Sequence, residues 1–151
     1  MSFPVPRPGL IIRYSFLWSH EKAKGAAEGA KDRPCAIVVA TRKTETGDLR
    51  VVVAPITHEP PADISASIEV PKAVCRALGL DGERQWLRID ELNSFAWPGF
   101  DLRPIPTHAI PGKSGAYDYG MLPKDLFEQL RTAILARDAR LRRTITRDEK
   151  E

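Results

Sequence analysis

The chain has 151 residues, enough for one domain with a hydrophobic core, and its 42% apolar and 28% charged residues argue against a disordered chain. Thirteen prolines argue against a helical bundle, and the net charge of +3 is too small to identify a nucleic acid as the partner. Two cysteines, Cys35 and Cys75, provide no disulfide framework, and no apolar run is long enough to cross a bilayer. We therefore expect a protein of the reducing cytoplasm with no membrane partner.

Six strands are predicted from apolar and β-branched runs that end at turn residues. In chain order they cover residues 10–18, 35–41, 49–56, 67–70, 85–90 and 93–97. Residues 1–8 alternate proline with other residues and are expected to run extended along the surface. Polar residues 19–32 form a predicted long loop. Gly47 provides the backbone freedom for a hairpin turn between the second and third strands.

Two helices complete the predicted elements, and each begins at a proline, a residue favoured in the first helical turn. One spans residues 71–79, and the other begins at Pro123 and carries an apolar stripe at four-residue spacing. Residues 100–116 are a predicted loop, and the charged tail 137–151 is expected to fray. The pattern predicts a mainly β (α+β) domain at residues 9–136. We expect a small barrel of five to seven mostly antiparallel strands with an inserted helix and a C-terminal helix.

Polar and aromatic side chains stand where three predicted strands begin or end, a position at which a rigid sheet can hold an exposed group. Arg33 precedes the second strand, Thr57 follows the third, and Trp97 ends the last. An arginine can grip two phosphate oxygens, and a hydroxyl can hydrogen-bond to a phosphate or to a ribose 2′-hydroxyl. This combination indicates chemistry on a phosphate. Alternatively, Arg33 pairs with Asp32 or Glu28 on the surface, and Thr57 caps its strand.

The order and spacing of these phrases resemble the MazF/PemK family of toxin ribonucleases, from Gly9 to about Leu135. The matching phrases are Gly9-Leu10-Ile11, Glu28 five residues before Arg33-Pro34, Pro55-Ile56-Thr57, Asp90-Glu91 and Phe95-Ala96-Trp97. The resemblance implies an SH3-like barrel that forms a homodimer, binds an antitoxin protein and cleaves single-stranded RNA without a metal or other cofactor. It further implies a growth-inhibiting toxin in which Arg33 and Thr57 are catalytic.

Further polar candidates surround this pair in the sequence. Glu28 is either a general base or the group that positions Arg33. His58 belongs to a residue type whose ordinary pKa of about 6.5 suits proton transfer, although strand alternation points it away from Thr57. His20 lies in the long loop and can swing toward the site. Asn93 is a candidate substrate contact.

Two tryptophans are candidates for stacking on unpaired bases of a single-stranded nucleic acid. A contact of this kind is worth roughly 1–3 kcal/mol per base. Trp18 ends the first predicted strand, and Trp97 ends the last one. Trp97 has an alternative role in the core or in a dimer contact.

The chain departs from the family pattern in several places. Ala27 stands where some members have a histidine, Asn93 stands where a basic residue is common, and the helix at residues 71–79 is an insertion. Because of these departures, the residue that transfers the proton is not identified. An alternative is a catalytically inactive barrel that binds RNA or an antitoxin-like protein. Residues 68–80 also resemble the strand-Pro-Lys-helix-Leu-Gly segment of AbrB-type proteins. That likeness makes a DNA-binding regulator a further alternative.

Overall fold

A computed structural model describes residues 3–43, 45–106 and 116–147, and the fold of these residues is mainly β. The strands are β1 (Leu10–Tyr14), β2 (Arg33–Arg42), β3 (Leu49–Thr57), β4 (Ser67–Glu69), β5 (Trp86–Arg88), β6 (Glu91–Ala96), β7 (Asp118–Met121) and β8 (Arg143–Thr146). The α-helices are α1 (Ser19–Ala23), α2 (Lys72–Leu78) and α3 (Lys124–Ala136). None of the helices in the described residues is long and apolar enough to cross a membrane.

The strands form one sheet in the order β4-β5-β3-β2-β1-β7, and β6 and β8 branch from β3. All pairings are antiparallel except that of β6 with β8. The branch arises because β3 pairs with β6 through Arg50–Val53 and with β5 through Ile56 and Thr57. Among the described residues no pairing joins the outer strands β4 and β7, so the sheet is open. The mainly β prediction is confirmed, but the closed barrel is not observed.

The central strands are buried on both faces, which explains their nearly continuous apolar sequences. Ile11, Ala36 and Ala54 contribute to a core beneath α2 and α3, and their neighbours Ile12 and Cys35 contribute to a second core on the other face. Side chains alternate between the two faces of a strand, so a strand covered on both sides has no solvent-facing half to fill with polar residues.

The two predicted helices are present, and each has a proline as its N-cap residue. In α2, Gly79 adopts the left-handed conformation with φ of 73° and ends the helix, as glycine does readily at such a position. In α3 the predicted stripe of Leu126, Leu130 and Ile134 is buried. The long loop also contains a short helix, α1.

The expectation of a frayed tail is wrong for its middle part. Residues Arg143–Thr146 form β8, which lies parallel to β6, and the side chain of Arg147 is buried. Backbone partners on β6 order this segment although it has only one apolar residue, Ile145. The predicted loop 100–116 contains no helix or strand among its described residues, and β7 begins two residues after it, at Asp118. Its residues 107–115, including His108, lie outside the described residues.

Candidate functional site

Strand register brings Arg33 and Thr57 together. Cys35 on β2 lies opposite Pro55 on β3, and Ala36 lies opposite Ala54. Continuing this antiparallel register by two residues places Arg33 opposite Thr57, where directly opposed side chains share one face of the sheet. Arg33 is the first residue of β2 and Thr57 is the last residue of β3. The pair therefore lies at the open end of the hairpin, opposite its turn, and this end is called the mouth of the hairpin.

A cavity of about 390 Å³ opens at this mouth. Of the residues predicted for the site, Arg33, Thr57, His58, Trp18 and His20 all line it. The remaining lining residues are Glu21, Ala30, Lys31, Glu59, Arg88 and Glu91. The rim residues His20, Lys31 and His58 are exposed, so the cavity is accessible from solvent.

Arg33 keeps its charge available. Among the described residues its guanidinium forms no ion pair, and its buried Nε atom has no hydrogen-bond partner. The two neighbouring carboxylates pair elsewhere: Asp32 lies 3.9 Å from Arg13 and 3.6 Å from Arg103, and Glu28 lies 3.7 Å from Arg103. The alternative in which Arg33 is neutralised by Asp32 or Glu28 is therefore wrong. A guanidinium that lines an open cavity without a carboxylate partner is suited to bind an anion there.

Thr57 caps its strand and also lines the cavity. Its Oγ1 accepts a hydrogen bond of 3.1 Å from the backbone N–H of Glu59, so the hydroxyl caps the end of β3. The hydroxyl proton is still available to donate, because a threonine hydroxyl has one donor besides its acceptor lone pairs. The residue is only 7% exposed, yet it lines the cavity. The hydroxyl is therefore held in a fixed orientation.

Trp18 serves the arginines rather than a base. The guanidinium carbons of Arg33 and Arg88 each lie 5.2 Å from the centroid of its indole ring, within the range of a cation–π contact. The indole is only 9% exposed, which leaves it little surface for stacking on an unpaired base. This placement contradicts the prediction of base stacking by Trp18. The ring instead supports two guanidinium groups at the cavity.

Carboxylates fix the backbone on both sides of Trp18. Glu21 accepts a hydrogen bond of 3.0 Å from the backbone N–H of Trp18 and another of 3.1 Å from that of Ala30. Glu91 accepts from the backbone N–H of Ser19 at 2.8 Å and from its hydroxyl at 2.6 Å. These two carboxylates are thus occupied by hydrogen-bond donors of the protein. They fix the backbone that positions the Trp18 ring against the two guanidinium groups.

Asn93 is a structural residue, and the prediction that it contacts substrate is wrong. Its side chain is fully buried and exchanges two hydrogen bonds of 2.9 Å with the backbone N–H and C=O of Leu17. Its oxygen also accepts a hydrogen bond of 2.9 Å from Nη1 of Arg147. Arg147 in turn pairs with the buried carboxylate of Asp101. Asn93 therefore ties β6 and the C-terminal segment to the residue before Trp18.

Glu28 and Trp97 are not part of the cavity lining. Glu28 is exposed and pairs with Arg103, so the prediction that it positions Arg33 is wrong. Trp97 is half-buried, and its ring centroid lies 6.3 Å from that of Phe95 in the second core. This is the alternative core role expected for Trp97.

The two histidines differ in their contacts. His20 lies on α1 with its ring centroid 6.3 Å from the Trp18 ring, at the edge of the cavity. His58 contacts Asp81 on the segment after α2, with Nε2 2.7 Å from Oδ2. Alternation would point His58 away from Thr57, but β3 ends at Thr57 and the alternation ends with it.

Sequence reasoning missed Arg88 and Lys31 as cavity residues. Arg88 stands on β5 and donates hydrogen bonds of 2.9 and 2.8 Å to Asp90, which raise the pKa of its guanidinium. The strand carrying Arg88 was predicted, but its pairing with Thr57 at the end of β3 was not visible in the sequence. Within the part of the chain that the structure describes, no cluster of three His, Cys, Asp or Glu residues is placed to hold a metal ion.

Comparisons of the chain with family models, with curated proteins and with solved structures found no significant match.

Proposed function

We propose that this protein is a metal-independent endoribonuclease that cleaves single-stranded RNA. The observation that carries the proposal is the unneutralised guanidinium of Arg33 in the same solvent-accessible cavity as the hydroxyl of Thr57. These two groups are held at opposed strand ends of a rigid hairpin. Arg33 supplies a planar cation and Thr57 a neutral donor, a combination suited to a phosphodiester.

The reaction is an attack by the ribose 2′-oxygen on the adjacent phosphorus. The O2′–P bond forms, the P–O5′ bond breaks, and the products are a 2′,3′-cyclic phosphate and a 5′-hydroxyl end. The 2′-hydroxyl loses a proton to a base, and the leaving 5′-oxygen receives a proton from water. Negative charge grows on the non-bridging phosphate oxygens in the transition state, and Arg33 and Thr57 stabilise it there.

Electrostatics and burial favour Arg33 as the main stabilising group. Its side chain is half-buried and supported by the Trp18 ring, so the charge is aimed at the cavity before substrate arrives. Donors of this preorganised kind typically contribute about 3–4 kcal/mol to transition-state stabilisation, which corresponds to a factor of about 10²–10³ in rate.

The proposed function includes an SH3-like barrel fold and a role as a toxin. The division of the sheet at β3, between partners β5 and β6, is consistent with an SH3-like barrel strongly bent around its core. The resemblance to MazF/PemK toxins assigns the protein to a type II toxin–antitoxin system of the cytoplasm. In that setting it acts as a homodimer, inhibits growth by cutting messenger RNA, and is neutralised by a cognate antitoxin protein.

The decisive experiment measures cleavage of a long RNA by the purified protein in EDTA, with cut sites mapped by primer extension. We expect discrete cuts in single-stranded regions. Arg33→Ala should lower the rate by about a hundredfold or more, and Thr57→Ala by about tenfold or more. A substrate with a single 2′-deoxy nucleotide at the cut site should resist cleavage, because the attacking oxygen is missing.

Arg131→Ala and Thr132→Ala provide matched controls. Both residues lie on α3, and the structure places neither in the cavity. Cleavage that survives in the Arg33 and Thr57 variants would point to a contaminating nuclease and contradict the proposal. RNA binding without any turnover would identify the inactive binding barrel instead. Protection of duplex DNA with intact RNA would identify the regulator suggested by residues 68–80.

A further inference from the structure

His58 stands on the wall between two cavities. It lines the cavity of Arg33 and Thr57, and it also lines a neighbouring cavity of about 320 Å³. The second cavity is formed by β1, β2, β7 and the segment that follows α2. The inserted helix therefore does not seal the site, and the residues after it reach the same histidine.

The ring nitrogens of His58 have different surroundings. Nε2 lies 2.8 Å from Oδ1 and 2.7 Å from Oδ2 of Asp81. Because a carboxylate only accepts hydrogen bonds, Nε2 must carry the proton in this contact. In the neutral ring Nδ1 then has a free lone pair, and among the described residues no group donates to it. The side chain of His58 is 50% exposed, so this nitrogen can meet a ligand.

Asp81 is held in place by its own segment. Gly79 ends α2 in the left-handed conformation and turns the chain toward Asp81. Oδ1 of Asp81 accepts a hydrogen bond of 3.0 Å from the backbone N–H of Glu83. The side-chain amide of the buried residue Gln85 donates a hydrogen bond of 3.1 Å to the carbonyl oxygen of Asp81. An exposed aspartate held by these two hydrogen bonds is suited to orient its partner.

We propose that His58 is the general base of this site and that Asp81 is its positioning residue. This inference rests on the proposed ribonuclease function and names the proton acceptor that the function needs. Nδ1 of His58 takes the proton from the 2′-hydroxyl as the O2′–P bond forms. The P–O5′ bond breaks, and the 5′-oxygen takes its proton from water. Asp81 keeps the ring in the productive tautomer and stabilises the imidazolium that results.

The charged and titratable groups around His58 come from several elements. Those of the first cavity are His20, Glu21, Lys31, Arg33, Glu59, Arg88 and Glu91. Those of the second are Arg13, Asp32, Asp81 and Tyr119. Within the described residues Asp81 alone is hydrogen-bonded to the ring of His58. Replacing Asp81 therefore removes the hydrogen bond that orients the ring.

The test is the pH–rate profile for cleavage of a short RNA in EDTA, measured for the parent, His58→Ala, Asp81→Asn and a control. The parent should lose activity at acidic pH as the base becomes protonated. His58→Ala should remove this acidic limb and lower the plateau by about 10²–10⁴-fold, without a matching loss of RNA affinity. Asp81→Asn should shift the acidic limb to lower pH, because the imidazolium has lost its carboxylate partner.

Glu69→Gln is the matched control for Asp81→Asn. Glu69 is an exposed carboxylate at the end of β4, the strand that precedes α2 in the chain, and it pairs at 2.8 Å with Arg84. Its replacement should leave the pH–rate profile unchanged. Cleavage that requires Arg33 and Thr57 but keeps its acidic limb in His58→Ala would overturn the base assignment and leave the proposed function standing. A parent protein that does not cleave RNA would overturn both.

Discussion

Replacing Asn93 by alanine separates a structural amide from a substrate-binding one. The side chain is fully buried and contacts Leu17, Leu92 and Arg147 through four hydrogen bonds of 2.9–3.0 Å. Alanine leaves the buried N–H and C=O of Leu17 without their partner and removes one acceptor from Arg147. We therefore expect Asn93→Ala to be strongly destabilising.

The magnitude follows from the groups left unsatisfied. A buried polar group without a partner costs about 1–3 kcal/mol, so the two Leu17 groups together cost about 2–6 kcal/mol. Arg147 retains Asp101 and the carbonyl oxygen of Ser15, so its share is smaller. We expect a loss of about 3–5 kcal/mol from a total that is typically about 5–15 kcal/mol. At roughly 2–4 °C per kcal/mol for a chain of this length, Tm should fall by about 10 °C.

Urea unfolding followed by tryptophan fluorescence measures this loss, because Trp18 adjoins the residue that Asn93 holds. Gln129→Ala is the control: it truncates an exposed amide on α3 and should change the free energy of unfolding by less than about 0.5 kcal/mol. If Asn93→Ala unfolds within about 1 kcal/mol of the parent but binds RNA poorly, Asn93 is a substrate contact and its structural assignment is incorrect.

Two more predictions address the Trp18 ring and the core. Trp18→Leu removes the support beneath Arg33 and should lower cleavage about tenfold, the equivalent of one cation–π contact of about 1.4 kcal/mol, whereas Trp97→Leu should spare the cleavage rate of the folded protein. Equal losses in both variants would mean that Trp18 only contributes to packing. Burial raises the pKa of the Cys35 and Cys75 thiols, so both stay protonated at about pH 8 and should resist iodoacetamide until the protein is unfolded. Rapid modification of the native protein, detected by mass spectrometry, would contradict the buried placement.

Much of the fold was readable from local patterns. The six predicted strands and the two proline-initiated helices are all present, because each has a period or a boundary residue that acts within a few positions. The first strand is shorter than predicted: it ends at Tyr14, and Trp18 is instead the N-cap residue of α1. The strands β7 and β8 were missed. They are four-residue segments with few apolar residues, and they are strands because the backbones of β1 and β6 supply their hydrogen-bond partners.

The residues of the candidate site also differ in whether local sequence could place them. Arg33 and Thr57 could be paired in advance because both lie at the ends of consecutive antiparallel strands, and a hairpin joins such ends by local geometry. Asn93 could not be placed, since its partners Leu17 and Arg147 lie 76 and 54 residues away. A polar residue in a sequence looks the same whether water or a buried backbone group satisfies it.

The sequence by itself therefore determined six of the strands described, the proline starts of two helices and the meeting of one arginine with one threonine. Only the tertiary structure decided which carboxylates leave Arg33 unneutralised, which ring supports it, and which acid reaches His58. The physical reason is the range of the interactions: backbone periodicity and capping act between near neighbours, whereas charge pairing and burial depend on residues that only the folded chain brings together.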